Sequence, residues 1–134
     1  MSLTQQPIGA LLRPTPVPTA SPTDSVEEAV SLMASNHVAS LLITKQERLI
    51  GIFTERDLLN RVAAEGLMPK EVTLEAVMTP NPETLSVQES LDAAIEMMAG
   101  RGYRNVPILD ADQRPLGVLR VRQVIGFLSK ALAR

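Results

Sequence analysis

The run Gly51-Ile52-Phe53-Thr54-Glu55-Arg56-Asp57 passes from β-prone apolar residues through a short polar turn into a helical pattern. That junction holds the groups of this chain best suited to bind an anion or a sugar. Backbone N–H groups at a helix start lack intrahelical partners, and the helix dipole adds partial positive charge there. The Thr54 hydroxyl can cap the helix or donate to a phosphate, and the Asp57 carboxylate can accept two hydrogen bonds from a vicinal diol such as a ribose. The same Thr-x-x-Asp spacing also makes an ordinary capping box, in which the acid folds back onto the helix start. On this segment alone the cap is the favoured reading of the two.

The chain supplies its own comparison. Gly117-Val118-Leu119-Arg120-Val121-Arg122-Gln123 stands at the matching place in a second copy, with Arg120 and Gln123 where the first copy has the hydroxyl and the acid. If the pair served only to cap, two equal helices would be expected to keep equal caps. The asymmetry therefore points to a diol acceptor in one copy and a source of positive charge in the other.

The match extends well beyond this run. At an offset of 65, Thr19 meets Thr84, Ser25 meets Ser90, Ala29 meets Ala94, Met33 meets Met98 and Ile43 meets Ile108. One extra residue in the Asp110–Arg114 turn shifts the offset to 66, after which Gly51 meets Gly117 and Arg56 meets Arg122. Self-similarity at a fixed period usually means that one unit cannot bury its apolar face alone and packs on its sibling. The expected product is one domain of two interlocked halves related by a pseudo-twofold axis.

Each repeat reads as helix, hairpin, helix. Val26, Ala29, Val30 and Met33 follow the i, i+3, i+4, i+7 spacing of one helical face, as do Leu91, Ala94, Ile95 and Met98. Ser25 with Glu28, or Asp24 with Glu27, caps the first of these helices, and Ser86 with Glu89 is read as the cap of the second. The β-prone runs Ser40–Thr44 and Leu49–Phe53 flank a polar turn, and Val106–Leu109 and Leu116–Leu119 repeat them. The closing helices show apolar faces of Leu58, Leu59 and Val62, and of Val124, Phe127, Leu128, Ala131 and Leu132. The fold class is thus an α/β (α+β) sandwich of two small sheets with packed helices, with two equivalent clefts between the halves. By segment, residues 1–18 are a Pro-rich lead-in with one helical turn at Ile8–Leu12, and residues 19–65 are repeat 1. Residues 66–83 are a connector with a turn of helix at Leu74–Met78, and residues 84–134 are repeat 2.

Composition narrows the function. A formal net charge of −2 leaves no basic footprint for tracking nucleic acid. The absence of cysteine removes disulfides, thiolate catalysis and thiolate metal sites, and makes a reducing compartment natural. His37 is the lone histidine and reads as the polar end of the first helix rather than a metal ligand. No basic region followed by an apolar one stands near the N-terminus, and no stretch reaches the roughly 18 apolar residues of a spanning helix. A cytoplasmic protein without membrane or nucleic-acid partners is expected. No Ser/His/acid set, thiol nucleophile, Walker loop or metal cluster is visible, so an enzyme is the least favoured class.

Both repeats resemble cystathionine-beta-synthase (CBS) domains, and the pair resembles a stand-alone Bateman module covering roughly residues 8 to 132. The resemblance rests on Gly51–Asp57 as the run Gly-hydrophobic-hydrophobic-Thr-x-x-Asp, Met78-Thr79-Pro80 before the second repeat, the Val106–Asp110 strand and the Ser25–Met33 helix. It implies clefts that take adenosine compounds (AMP, ADP, ATP or S-adenosylmethionine, a triphosphate with or without Mg²⁺) and a homodimer that tunes an unknown partner protein. Carried over by position, Asp57 holds the ribose hydroxyls, Thr54 the phosphate or ribose edge, and Ile52 one side of the adenine. Backbone groups at Thr19 and Ala20 face the adenine edge, while Arg104, Asn105 and Arg122 contact phosphate. The second cleft, with Ser40, Arg56, Thr84, Val118 and Arg120, lacks the ribose acid at Gln123. Ala39 and Ser40 stand there in place of Arg104 and Asn105, so one good site is expected. With Phe53, Tyr103 and Phe127 the only aromatics, the base would rest mainly on aliphatic walls. The competing function is a purely structural dimerisation module with vestigial clefts, using the face Val124, Phe127 and Leu128.

Overall fold

A computed structural model describes residues 2–133. In chain order, a 3-10 turn (Leu3–Gln5) and helix α1 (Ile8–Leu11) precede strand β1 (Thr19–Ala20), helix α2 (Val26–Asn36) and the hairpin β2 (Ser40–Lys45) and β3 (Arg48–Thr54). Helix α3 (Glu55–Asp57) runs on as a π-helix over Leu58–Ala63. A 3-10 turn (Pro69–Glu71), helix α4 (Leu74–Val77) and strand β4 (Thr79–Pro80) follow. Strand β5 (Leu85–Ser86), helix α5 (Leu91–Arg101), the hairpin β6 (Asn105–Leu109) and β7 (Pro115–Arg120), and helix α6 (Val121–Leu132) complete the chain.

The capping residues decide where the first helices begin. Ser25 accepts the Glu28 N–H at 3.1 Å while the Glu28 carboxylate accepts the Ser25 N–H at 3.2 Å, so of the two candidate boxes it is Ser25 with Glu28 that forms. The helix ends on His37, in left-handed backbone at φ 54°, where its counterpart α5 ends on Gly102 at φ 75°. Ser86 and Glu89 do not cap α5. Their bond, Ser86 N–H to Glu89 at 2.7 Å, closes a turn four residues too early, and Ser90 is the residue before the helix. The equivalent bond in the first repeat runs from Ser21 N–H to Asp24 at 2.9 Å, so this is a turn shared by the two repeats rather than a helix start.

Two sheets form, with strand orders β1-β2-β3-β4 and β5-β6-β7. Each hairpin gains a short parallel edge strand, β1 on β2 and β5 on β6. On the far side, Thr79 pairs with Ile52 in the first sheet, and Thr15 forms a single antiparallel bridge with Val118 in the second.

These last pairings show how the chain divides. One unit spans Val17–Pro82, and the other combines the segment up to Pro16 with everything from Glu83 onward. Within the first, α4 and β4 close the core, with Leu74 fully buried beside Val26, Ala29, Phe53 and Val62. Within the second, α1 does the same work: Ile8 is fully buried among Leu85, Leu91, Val106 and Leu119. Ile8 N–H and Gly9 N–H bond the carbonyls of Glu89 and Val87, so the Pro-rich segment is built into that unit. The glycines at equivalent positions of the two repeats, Gly51 and Gly117, admit these segments. A Cβ on Gly117 would lie 2.3 Å from the Thr15 carbonyl oxygen, and one on Gly51 would lie 2.4 Å from the Met78 sulfur.

One apolar face differs from expectation. Leu59 is 62% exposed, although its spacing with Leu58 and Val62 suggested burial. The π-helical turn widens the repeat to more than 3.6 residues, so Val62 faces the core while Leu59 rotates outward. Leu132 is likewise exposed, at the end of α6.

Candidate functional site

The first unit gathers Thr19, Ala20, Ser40, Ile52, Thr54, Arg56 and Asp57 on one sheet and the turn that leaves it. Thr19, Leu42, Ile52 and Thr79 are successive cross-strand partners, forming one row across β1, β2, β3 and β4. Thr19 is exposed on an edge strand that pairs only with β2, so its outer backbone groups have no ladder partner among the described residues. Ser40, buried, lies directly opposite Thr54 at the end of the hairpin. Arg56 is exposed.

Asp57 is the centre of a hydrogen-bond set and is 5% exposed. Its Oδ2 accepts the Thr54 N–H at 2.9 Å and the Thr54 hydroxyl at 3.1 Å, while the Asp57 N–H reaches Thr54 Oγ1 at 3.3 Å. This is the capping box. Its Oδ1 accepts the Thr79 hydroxyl at 3.1 Å and lies 3.6 Å from Nε of Arg61. Arg61 in turn donates through Nη1 to the Met78 carbonyl at 2.8 Å, tying helix and connector together.

The second unit holds Thr84, Arg104, Asn105, Val118, Arg120 and Arg122. Asn105 faces Arg120 across the hairpin, in the position of Ser40 opposite Thr54, and the Arg104 carbonyl accepts the Val121 N–H at 3.0 Å. Arg104, Asn105, Arg120 and Arg122 thus belong to one junction of β6, β7 and α6, with Arg104 and Arg122 exposed. Val118 is buried, and Thr84 is half-buried just before β5.

Gln123 changes the comparison between the repeats. Its Oε1 accepts the Arg120 N–H at 2.9 Å and the Thr15 hydroxyl at 2.9 Å, and its Nε2 donates to the Arg13 carbonyl at 2.9 Å. The half of the capping box made by the third helical residue is therefore kept without a charge. The half made by the cap residue is gone, because an arginine side chain has no acceptor. The two helices thus do not keep equal caps: the first has both halves of the box and the second has one, and Asp57 differs from Gln123 in acceptor capacity and charge.

Sequence reading missed Thr79, Arg61, Thr15 and Arg13. Arg61 was findable, since Asp at i and Arg at i+4 face each other on a helix. Thr79 stands 22 positions from Asp57 and Thr15 stands 108 from Gln123, separations that no local pattern spans. Among the described residues no group of three or more His, Cys, Asp or Glu side chains is placed to hold a metal ion, and no helix is long and apolar enough to cross a membrane.

The model of the CBS domain matches the chain twice, over residues 8–64 and 74–130, and the chain belongs to the CBS domain family. It is 34% identical over 104 residues to the CBS domain-containing protein CBSCBSPB3 of Arabidopsis thaliana, an alignment covering 78% of this chain and 19% of that protein. The chain thus spans about a fifth of the length of such relatives. Among solved structures it is similar to the CBS domain protein PAE2072 from Pyrobaculum aerophilum complexed with AMP, with TM-score 0.81, 22% identity and coverage of 96% and 99% of the two chains. It is similar also to the CBS domain pair of protein MJ0100 in complex with 5-methylthioadenosine and S-adenosyl-L-methionine, with TM-score 0.80, 23% identity and coverage of 94% and 98%. At these identities the likeness establishes the fold, two small sheets with packed helices.

Proposed function

We propose that this chain is a regulatory module that binds an adenosine compound, AMP, ADP, ATP or S-adenosylmethionine, and through it modulates a partner protein. The observation that carries the reading is the contrast between Asp57 and Gln123. Gln123 makes the helix-start bond and the threonine bond as a neutral amide, with both lone pairs of its single carbonyl oxygen used. Capping at this place therefore needs no charge. Asp57 keeps a nearly buried charge, offset by Arg61 at 3.6 Å, and its Oδ1 lies outside the cap, where its hydrogen bond comes from the Thr79 hydroxyl. A ribose diol is a ligand group that would use that oxygen.

On this reading Asp57 takes the ribose hydroxyls, Thr54 the neighbouring edge, and Ile52 one side of the base. The outer backbone of Thr19 and Ala20 reads the adenine edge. The family resemblance assigns the phosphate contacts to Arg104, Asn105 and Arg122. Gln123 makes the set with Ser40, Arg56, Thr84, Val118 and Arg120 the weaker one for a diol. The complexes of PAE2072 with AMP and of MJ0100 with S-adenosyl-L-methionine support the ligand class. A cytoplasmic homodimer, with or without Mg²⁺ beside a triphosphate, belongs to the same proposal. Ligand binding regulates only through differential affinity for two states of the module. Native mass spectrometry of freshly purified protein, followed by thermal-shift titration with the four compounds, tests it. A retained adenosine compound and a rising melting temperature are expected, since saturating ligand adds RT ln(1 + [L]/Kd). No shift with any of them at millimolar concentration would contradict it.

A second reading is a structural dimerisation module, but not through the expected face Val124, Phe127 and Leu128: Val124 is buried in the core of its own unit, with Phe127 and Leu128 packed against that core. One observation favours it. Leu59 and Ile125 stand at equivalent positions of the two closing helices, and both are largely exposed, at 62% and 61%. Both readings allow a dimer, so it is retained ligand in native mass spectrometry that separates them.

A further inference from the structure

The Asp57 carboxylate is supplied with donors of two kinds. Those on Oδ2 belong to the helix start itself: the Thr54 N–H, and the Thr54 hydroxyl that also accepts the Asp57 N–H. Releasing them breaks the cap. The donor on Oδ1 is different, because the Thr79 hydroxyl arrives on β4, from the connector, and serves no helix terminus. A threonine hydroxyl can rotate to another acceptor, whereas a backbone N–H at a cap cannot. Arg61 meanwhile holds the carboxylate near its position by charge, with Nε at 3.6 Å, while its Nη1 is fixed on the Met78 carbonyl.

We propose that Thr79 is a specificity-determining residue for the adenosine site: its hydroxyl occupies the sugar-facing oxygen of Asp57 and is displaced by a ligand diol. This rests on the reading of Asp57 as the ribose acceptor and adds the group against which the ribose must compete. Thr79 acts through Asp57, so it sets how strongly the module distinguishes a ribose from a sugar without hydroxyls. Binding costs Thr79 its acceptor, and this links the site to the segment that carries β4.

The test is calorimetric titration of the full chain with AMP and with 2′,3′-dideoxyadenosine 5′-monophosphate, for the wild type, Thr79→Val and Thr79→Ser. Valine keeps the shape and removes the hydroxyl, and serine keeps the hydroxyl. The expected result is an AMP affinity about fivefold higher in Thr79→Val, a dideoxy-ligand affinity unchanged, and wild-type behaviour in Thr79→Ser, in line with loss of one charge-assisted competitor. A purely structural role would move both ligands together. Equal changes for the two ligands, or no change for AMP, would overturn this inference while leaving the ribose reading intact. Absence of AMP binding to the wild type would overturn both.

Discussion

Oε1 of Gln123 accepts the backbone N–H of Arg120 at 2.9 Å, the same length and the same place in the helix start as the bond from Thr54 N–H to Oδ2 of Asp57. Two repeats that diverged in charge have kept one backbone bond, so stability and ligand recognition can be separated at this position.

Substituting Asp57→Asn should destabilise by only about 1 kcal/mol, because an amide oxygen still serves the Thr54 N–H while the Thr79 hydrogen bond and the Arg61 charge partner are lost. Asp57→Ala should cost about 1–2 kcal/mol through loss of the cap. Urea denaturation of the two variants checks the difference.

The first-turn caps of the long helices make an internal control. Ser25→Ala removes a side-chain acceptor seen in α2 and should destabilise by about 1 kcal/mol. Ser90→Ala, before α5, removes no side-chain cap bond and should be nearly neutral. Thermal melts of the pair should separate by several degrees, about what 1 kcal/mol shifts in a domain of this size.

How far the fold could be read in advance depended on the distance over which each signal acts. The repeat, both hairpins and the helices α2 and α5 were visible because their patterns are local: Ser25 to Glu28, Val26 to Met33, Ser40 to Phe53. The segment Ile8–Leu11 was read as a lead-in with a helical turn, yet Ile8 sits fully buried among residues more than 70 positions away. Nothing in the local pattern of a short, Pro-flanked helix says which repeat it will join. For the candidate site the capping geometry of Thr54 and Asp57 was legible, and the second oxygen's partner Thr79 was not. The outward turn of Leu59 follows from a π-helical stretch that a 3.6-residue period cannot foresee.

The buried Ile8 gives a prediction of its own. Ile8→Ala should destabilise by about 2–5 kcal/mol, the range for a fully buried aliphatic side chain cut to alanine. Leu74→Ala should do the same for the other unit. Denaturation curves of the two variants check whether the segment up to Pro16 carries weight comparable to α4.

The two close-packed glycines should differ. Gly117→Ala sets a methyl against the Thr15 backbone, which is held by two hydrogen bonds to Val118, and should cost about 3 kcal/mol. Gly51→Ala meets the flexible Met78 side chain and should cost about 1 kcal/mol. Chemical denaturation of both variants decides it.

The most direct measurement is calorimetric titration of AMP into the wild type and into Asp57→Asn, with the melting temperature of each recorded without ligand. The account predicts saturable binding by the wild type and at least a tenfold loss of affinity in a variant that melts within a few degrees of it. Equal affinity in the two proteins would contradict the assignment of Asp57 as the ribose acceptor.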